Sequence, residues 1–215
     1  MIRAPYALLA LVLSSHVLPV HASWLAPFIS ELHYDNAGAD VDEFVAVSGP
    51  SGLDLSGWQI ALYNGGDGRA YRSLGLSGTL GSADGGLAEV SWPFAGLQNG
   101  PDAVALISPL DAVIDFIAYE AGVVATEGAA QGLRARLLSV SEDGSTPVGY
   151  SLQRTGSADS EFWVVATATP GAVNPGLTEV GSHRIPTLGG GYLWFAGAGG
   201  WLLLTFSRRP RRRAV

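Results

Sequence analysis

Between residues 28 and 167, short runs of alternating or β-branched apolar residues recur, each closed by glycine, proline, asparagine or aspartate. This punctuation constrains the fold more than any other feature, because a two-residue period builds strands and a 3.6-residue period builds helices. In "FISELHYD" (28–35) the alternation puts Phe28, Leu32 and Tyr34 on one face, with Glu31 and His33 on the other. "EFVAVSG" (43–49) follows, and "WQIALYNG" (58–65) aligns Trp58, Ile60 and Leu62 before the turn-forming "NGGDG" (64–68). The series continues through 70–80, 87–92, 102–109, 112–119, 150–156 and 162–167. About nine strands at ~8–12-residue spacing predict an antiparallel sandwich or barrel. Helical spacing occurs over 131–140 alone, inside a longer insertion at 121–149, and no fixed-period repeat is visible.

The two ends depart from this pattern. Arg3, an apolar stretch at 7–20 and then "VHA" have the layout of a secretory signal peptide cleaved between Ala22 and Ser23. That stretch is shorter than the ~20 apolar residues of a membrane span. Residues 188–206 carry no charge. As a helix they measure ~28 Å at ~1.5 Å per residue, close to a bilayer core of ~30 Å. Arg208, Arg209, Arg211, Arg212 and Arg213 follow, and the positive-inside rule places them in the cytoplasm. The expected organisation is a signal peptide at 1–22, a β domain at 23–177, a linker at 178–187, a transmembrane or sorting helix at 188–207 and a basic tail at 208–215.

Charge is split along the chain in a way the overall −7 hides. Over 23–183, five arginines stand against all nineteen acids, leaving −14. A domain so acidic repels phosphate backbones, so direct nucleic-acid binding is not expected. Its carboxylates keep an exported protein soluble and attract cations. With no cysteine, disulfides and thiolate chemistry are excluded. Glycine and proline, 29 and 12 residues, are frequent enough for many turns and too few for a disordered composition.

The densest run of chemically capable side chains is "HYDNAGADVDEF" (33–44). Calcium takes ~6–8 oxygen ligands, and Asp35, Asn36, Asp40 and Asp42 offer four from one loop, with Gly38 permitting the bend. The spacing is not that of an EF-hand. The competing reading is a turn, since Asp and Asn side chains bond nearby backbone N–H groups. His33 beside Asp35 and Glu43 is the one acid–base candidate of the domain, but no "GxSxG" accompanies it and no spacing singles out a serine. On period alone His33 is expected on the solvent face of an edge strand. Asp35, Asp40, Asp42 and Glu43 also offer carboxylate pairs for glycoside hydrolysis, which needs a cleft the sequence does not predict. No catalytic residue is assigned.

Four separated motifs carry a resemblance. A first strand ending in "HYDN", an acidic link into "EFV", the turn "DLSGW" (54–58), and the closing "YSLQRTG" (150–156) with "ATPGAVNPG" (168–176) are similar to the bacterial exported lamin-tail domain over roughly 28–176. That resemblance implies an immunoglobulin-like β-sandwich used for interaction, and it supplies no catalytic residues. Further on, Ile185, Pro186, Thr187 and Leu188, the apolar span and the arginine cluster resemble the tripartite IPTL-type sorting signal of Gram-negative bacteria, akin to signals read by exosortases. Here "GGGY" follows, where Ser-Glu-Trp-Gly is usual. A plain retained membrane anchor is the alternative.

The expectation is an all-β, immunoglobulin-like antiparallel β-sandwich of the cell envelope, non-catalytic, binding a surface protein or glycan, and requiring no cofactor beyond a candidate calcium. The alternative is a divalent-cation-dependent extracellular enzyme or a nuclease-accessory module.

Overall fold

The computed structural model describes residues 26–81 and 86–178, together with 196–197 and 200–201 in a separate C-terminal unit. The expected signal peptide and cleavage site, the IPTL motif and the arginine tail lie outside the described residues. Of the expected span at 188–207, only Ala196–Gly197 and Gly200–Trp201 are described, as a two-residue antiparallel ladder. Among the described residues no helix is long and apolar enough to cross a membrane.

The main unit is all-β. Its strands are β1 (Phe28–His33), β2 (Phe44–Pro50), β3 (Gln59–Asn64), β4 (Ala70–Gly75), β5 (Leu87–Pro93), β6 (Asp102–Ile107), β7 (Val113–Tyr119), β8 (Arg136–Leu137), β9 (Tyr150–Thr155) and β10 (Phe162–Thr167). One antiparallel sheet runs β10-β9-β1-β2-β5 and the other runs β4-β3-β6-β7-β8, where only β7 and β8 pair in parallel. A single hydrophobic cluster draws Ile29, Leu32, Tyr34, Val45, Val47 and Leu152 from the first sheet, and Ile60, Leu62, Val104, Leu106, Ile117 and Tyr119 from the second. Each such side chain contributes ~1.5–3 kcal/mol by leaving water. The arrangement is β-sandwich-like. Asp115 of β7 links the sheets, accepting from the Ile29 N–H at 3.1 Å and from Arg154 Nη2 at 2.7 Å.

Three readings of the alternation are corrected by this packing. The β1–β2 register shifts between Ile29 and Glu31, so Ile29 joins Leu32 and Tyr34 in the inter-sheet cluster, while Phe28 is buried outside that cluster. The extra residue of the bulge is Ser30, and it reverses the period upstream of it. Next, β1 is the central strand of its sheet, with β9 and β2 on either side, so His33 is buried rather than solvent-facing.

The third correction concerns residues 131–140, which form no helix. Gly128 and Gly132 take left-handed φ values of 70° and 81°, and Arg136–Leu137 pairs beside β7. Leu133 and Leu137 are exposed and Leu138 joins the inter-sheet cluster, whereas Ala130 and Ala135 are buried elsewhere. Together with Val123 and Ala125 they form a second cluster with Ala61, Tyr63, Ala103, Ala105, Phe116 and Ala118 of β3, β6 and β7. Those alanines are small enough for the insertion to lie close against the sheet, and that tertiary packing overrides local propensity.

Candidate functional site

The corner between β1 and β2 is closed by a residue far away in sequence. The Glu142 carboxylate is fully buried, and its Oε2 accepts from the N–H groups of Tyr34 at 2.7 Å and Asp35 at 3.2 Å. Its Oε1 lies 2.9 Å from His33 Nδ1, while His33 Nε2 lies 3.0 Å from the carbonyl of Val41. A carboxylate and a carbonyl only accept, so this geometry favours the imidazolium form of His33, in which both ring nitrogens donate. Burial opposes that charge, but the hydrogen bond and the negative charge of Glu142 outweigh it, and the His33 pKa is raised above its ordinary value. The Tyr34 hydroxyl completes the joint, accepting from the Glu142 N–H at 2.8 Å and donating to the Glu142 carbonyl at 3.1 Å.

Asn36 holds the loop in shape. Its Oδ1 accepts from the Val41 N–H at 3.1 Å, and its Nδ2 donates to the carbonyls of Ala37 and Ala39 at 3.1 and 2.9 Å. Three hydrogen bonds of its side chain thereby serve the turn. Asp35 and Asp40 come together: burial first, then the Asp40 carboxylate, push the Asp35 pKa up. Asp40 Oδ2 accepts from Asn99 Nδ2 at 3.2 Å. Asp42 is exposed and takes a left-handed φ of 58°. Of the four calcium candidates, Asp35 and Asp40 lie together and Asn36 shapes the turn. Among the described residues no group of three or more His, Asp or Glu side chains is arranged around a metal position.

Beside this corner opens a cleft of about 470 Å³, within the ~300–1,000 Å³ of small-ligand sites. Three neighbouring strands supply one side through the cross-strand row His33, Phe44 and Pro93, with Ser91 two residues before Pro93 on β5. Gly149 and Tyr150 line it at the start of β9, and Ala168 and Pro170 line it just after β10. Asp42 and Glu43 supply its carboxylates. Glu43 is half-buried and Asp42 is exposed, and Glu43 Oε2 also accepts from the Gly96 N–H.

The wall carrying Ala168 and Pro170 is pinned by two more buried acids. Glu31 Oε1 accepts from the Ser151 hydroxyl, from Gln153 Nε2 at 3.0 Å and from the Thr169 N–H at 2.8 Å. Glu89 accepts from the hydroxyls of Ser30 and Ser48 at 2.7 and 3.0 Å, and from the Gly171 N–H at 3.3 Å. Burial, reinforced by the charge of Glu31, pushes the Glu89 carboxyl up to about 7. Asn174 completes the latch by donating to the carbonyls of Ser30 and Arg154 at 2.8 and 3.0 Å.

Sequence reasoning found His33, Asp42 and Glu43 but missed Phe44, Tyr150, Glu89 and Glu142. Phe44 and Tyr150 read as ordinary strand residues. Glu142 sits in an irregular segment with no periodicity to mark it. Comparison with known proteins returned no matching family model, no matching curated protein and no matching solved structure.

Proposed function

We propose that this chain is a non-catalytic, exported interaction module of the cell envelope. In this reading residues 23–177 form a lamin-tail-like, immunoglobulin-like sandwich, 1–22 direct export, and the segment from Ile185 to Arg213 sorts or anchors the protein. The cleft beside the β1–β2 corner is its contact site for a surface protein or glycan. One observation carries this reading: His33, the acid–base candidate of the corner, has both ring nitrogens engaged by acceptors of the fold. A general base needs a free lone pair aimed at a substrate proton. The cleft beside it is walled instead by Phe44, Tyr150, Pro93 and Pro170, side chains suited to contact.

The test is binding of the labelled chain to isolated envelopes of the producing bacterium. Saturable binding is expected, and Ser91→Trp, which fills the cleft, should remove most of it while the circular-dichroism spectrum is unchanged. Equal binding by parent and variant would overturn the assignment of the cleft.

A further inference from the structure

We infer that the cleft receives the cationic side chain, arginine or lysine, of an extended peptide segment; the inference rests on the interaction-module reading above and names its ligand class. Charge is the first argument. The titratable residues lining the cleft are His33, Asp42, Glu43 and Tyr150, with no arginine among them. The His33 imidazolium is neutralised by Glu142 at 2.9 Å and is only 3 % exposed. Among the described lining residues no other cation faces the Asp42 and Glu43 carboxylates; outside the lining, the Arg72 guanidinium lies beside Gly96, whose N–H holds Glu43. The net −14 of the surrounding domain adds a field of the same sign, which steers cations inward.

The walls decide what kind of cation fits. A compact hydrated ion gains little from Phe44, Tyr150, Pro93 and Pro170. A long side chain gains from both parts of the site, burying its aliphatic stem on apolar surface while its head reaches the carboxylates. Aromatic faces add a cation–π attraction, strongest for guanidinium. Proline and aromatic surfaces suit an extended backbone, whose flanking residues the remaining volume accommodates. A neutral sugar uses the aromatic surface and donates hydroxyls to the carboxylates but leaves their charge unbalanced, so the cationic peptide is favoured.

The experiment uses the full chain purified in dodecyl maltoside and an array of extended hexapeptides. Each peptide carries one central arginine or lysine between varied apolar residues, and each arginine peptide has a twin with citrulline, which keeps the shape and removes the charge. Saturable binding is expected for a subset, falling about tenfold or more with citrulline and weakening as salt rises. The double variant Asp42→Asn, Glu43→Gln should lose the same factor. Asn tolerates the left-handed backbone at 42, and Gln retains an acceptor for the Gly96 N–H, so the fold is kept, as an unchanged melting temperature would confirm. Binding no better than the citrulline twins across the array would overturn the proposal. So would binding that oligosaccharide competes for and that the double variant leaves intact. If envelope binding is lost in Ser91→Trp yet indifferent to salt and to the double variant, the interaction-module reading stands and the cationic ligand falls. If Ser91→Trp also binds normally, both fall.

Discussion

Replacing Glu142 with alanine tests the closure of the β1–β2 corner most directly. The substitution leaves the His33 imidazolium buried without its counter-charge and the N–H groups of Tyr34 and Asp35 without an acceptor. Removing one partner of a buried ion pair costs ~3–5 kcal/mol. Two orphaned N–H groups at ~1–3 kcal/mol each reach the same range by an independent route. These describe overlapping losses and are not summed, so the expected destabilisation is ~3–5 kcal/mol, or roughly 6–20 °C in melting temperature for a domain of this size. The pH dependence carries the sharper signature. Because the folded pKa of His33 is raised, its contribution is fully present below the ordinary value of ~6.5 and is lost as pH rises through the folded value. Glu142→Ala should remove that slope, since burial alone then disfavours the imidazolium. Urea unfolding of parent and variant on both sides of neutrality measures both effects. A loss under ~1 kcal/mol with an unchanged pH profile would refute the reasoning, because that is the scale of an exposed ion pair.

Glu89→Gln should flatten another part of the profile: the parent carboxyl, held at about 7, stabilises the fold while protonated and loses that contribution as pH rises through about 7, whereas glutamine keeps an acceptor for Ser30 and Ser48. Urea titrations from about pH 4 to pH 8 should show the variant gaining on the parent progressively between the ordinary carboxyl value of 4.5 and about 7, with no further gain above. Asn36→Ala should cost ~1–3 kcal/mol through loss of three loop hydrogen bonds, while millimolar calcium should leave the parent's melting temperature where chelator leaves it; a calcium-dependent rise would make the corner a cation site. Amino-terminal sequencing of the exported protein should begin at Ser23, and a chain beginning at Met1 would refute cleavage after Ala22.

The sheet faces were legible wherever local alternation ran unbroken. Trp58, Ile60 and Leu62 were assigned together from spacing, and Ile60 and Leu62 are core residues with Trp58 packed against them. The reading failed where one residue changed the count. The bulge at Ser30 exchanges Phe28 for Ile29, and no local signal in "FISE" announces it. It also failed where partners were distant: His33 looked solvent-facing because Glu142, 109 residues away, is what makes its burial tolerable. The helical spacing over 131–140 mixes exposed Leu133 and Leu137 with buried Ala135 and Leu138, and no helix forms there. At the candidate site, Asn36 was noticed for its oxygen, and both its amide atoms also bond the turn.

The central position of β1 has a consequence for the order in which this chain acquires its structure. β1 is the first strand made, and β2 reaches one of its sides soon afterwards. The other side waits for β9, and the bond from Ser151 to Glu31 spans 120 residues. The Ser30 carbonyl freed by the bulge waits longer still, for Asn174, 144 residues on. A contact of such range forms only after the whole intervening loop has closed, which makes late pairing slow. A chain emerging amino-terminus first therefore carries its Glu31 carboxylate in water until nearly all of the domain has followed. The ordered fold is withheld from any amino-terminal fragment that stops short of β9, and truncation should yield an open, protease-sensitive chain rather than a smaller sandwich.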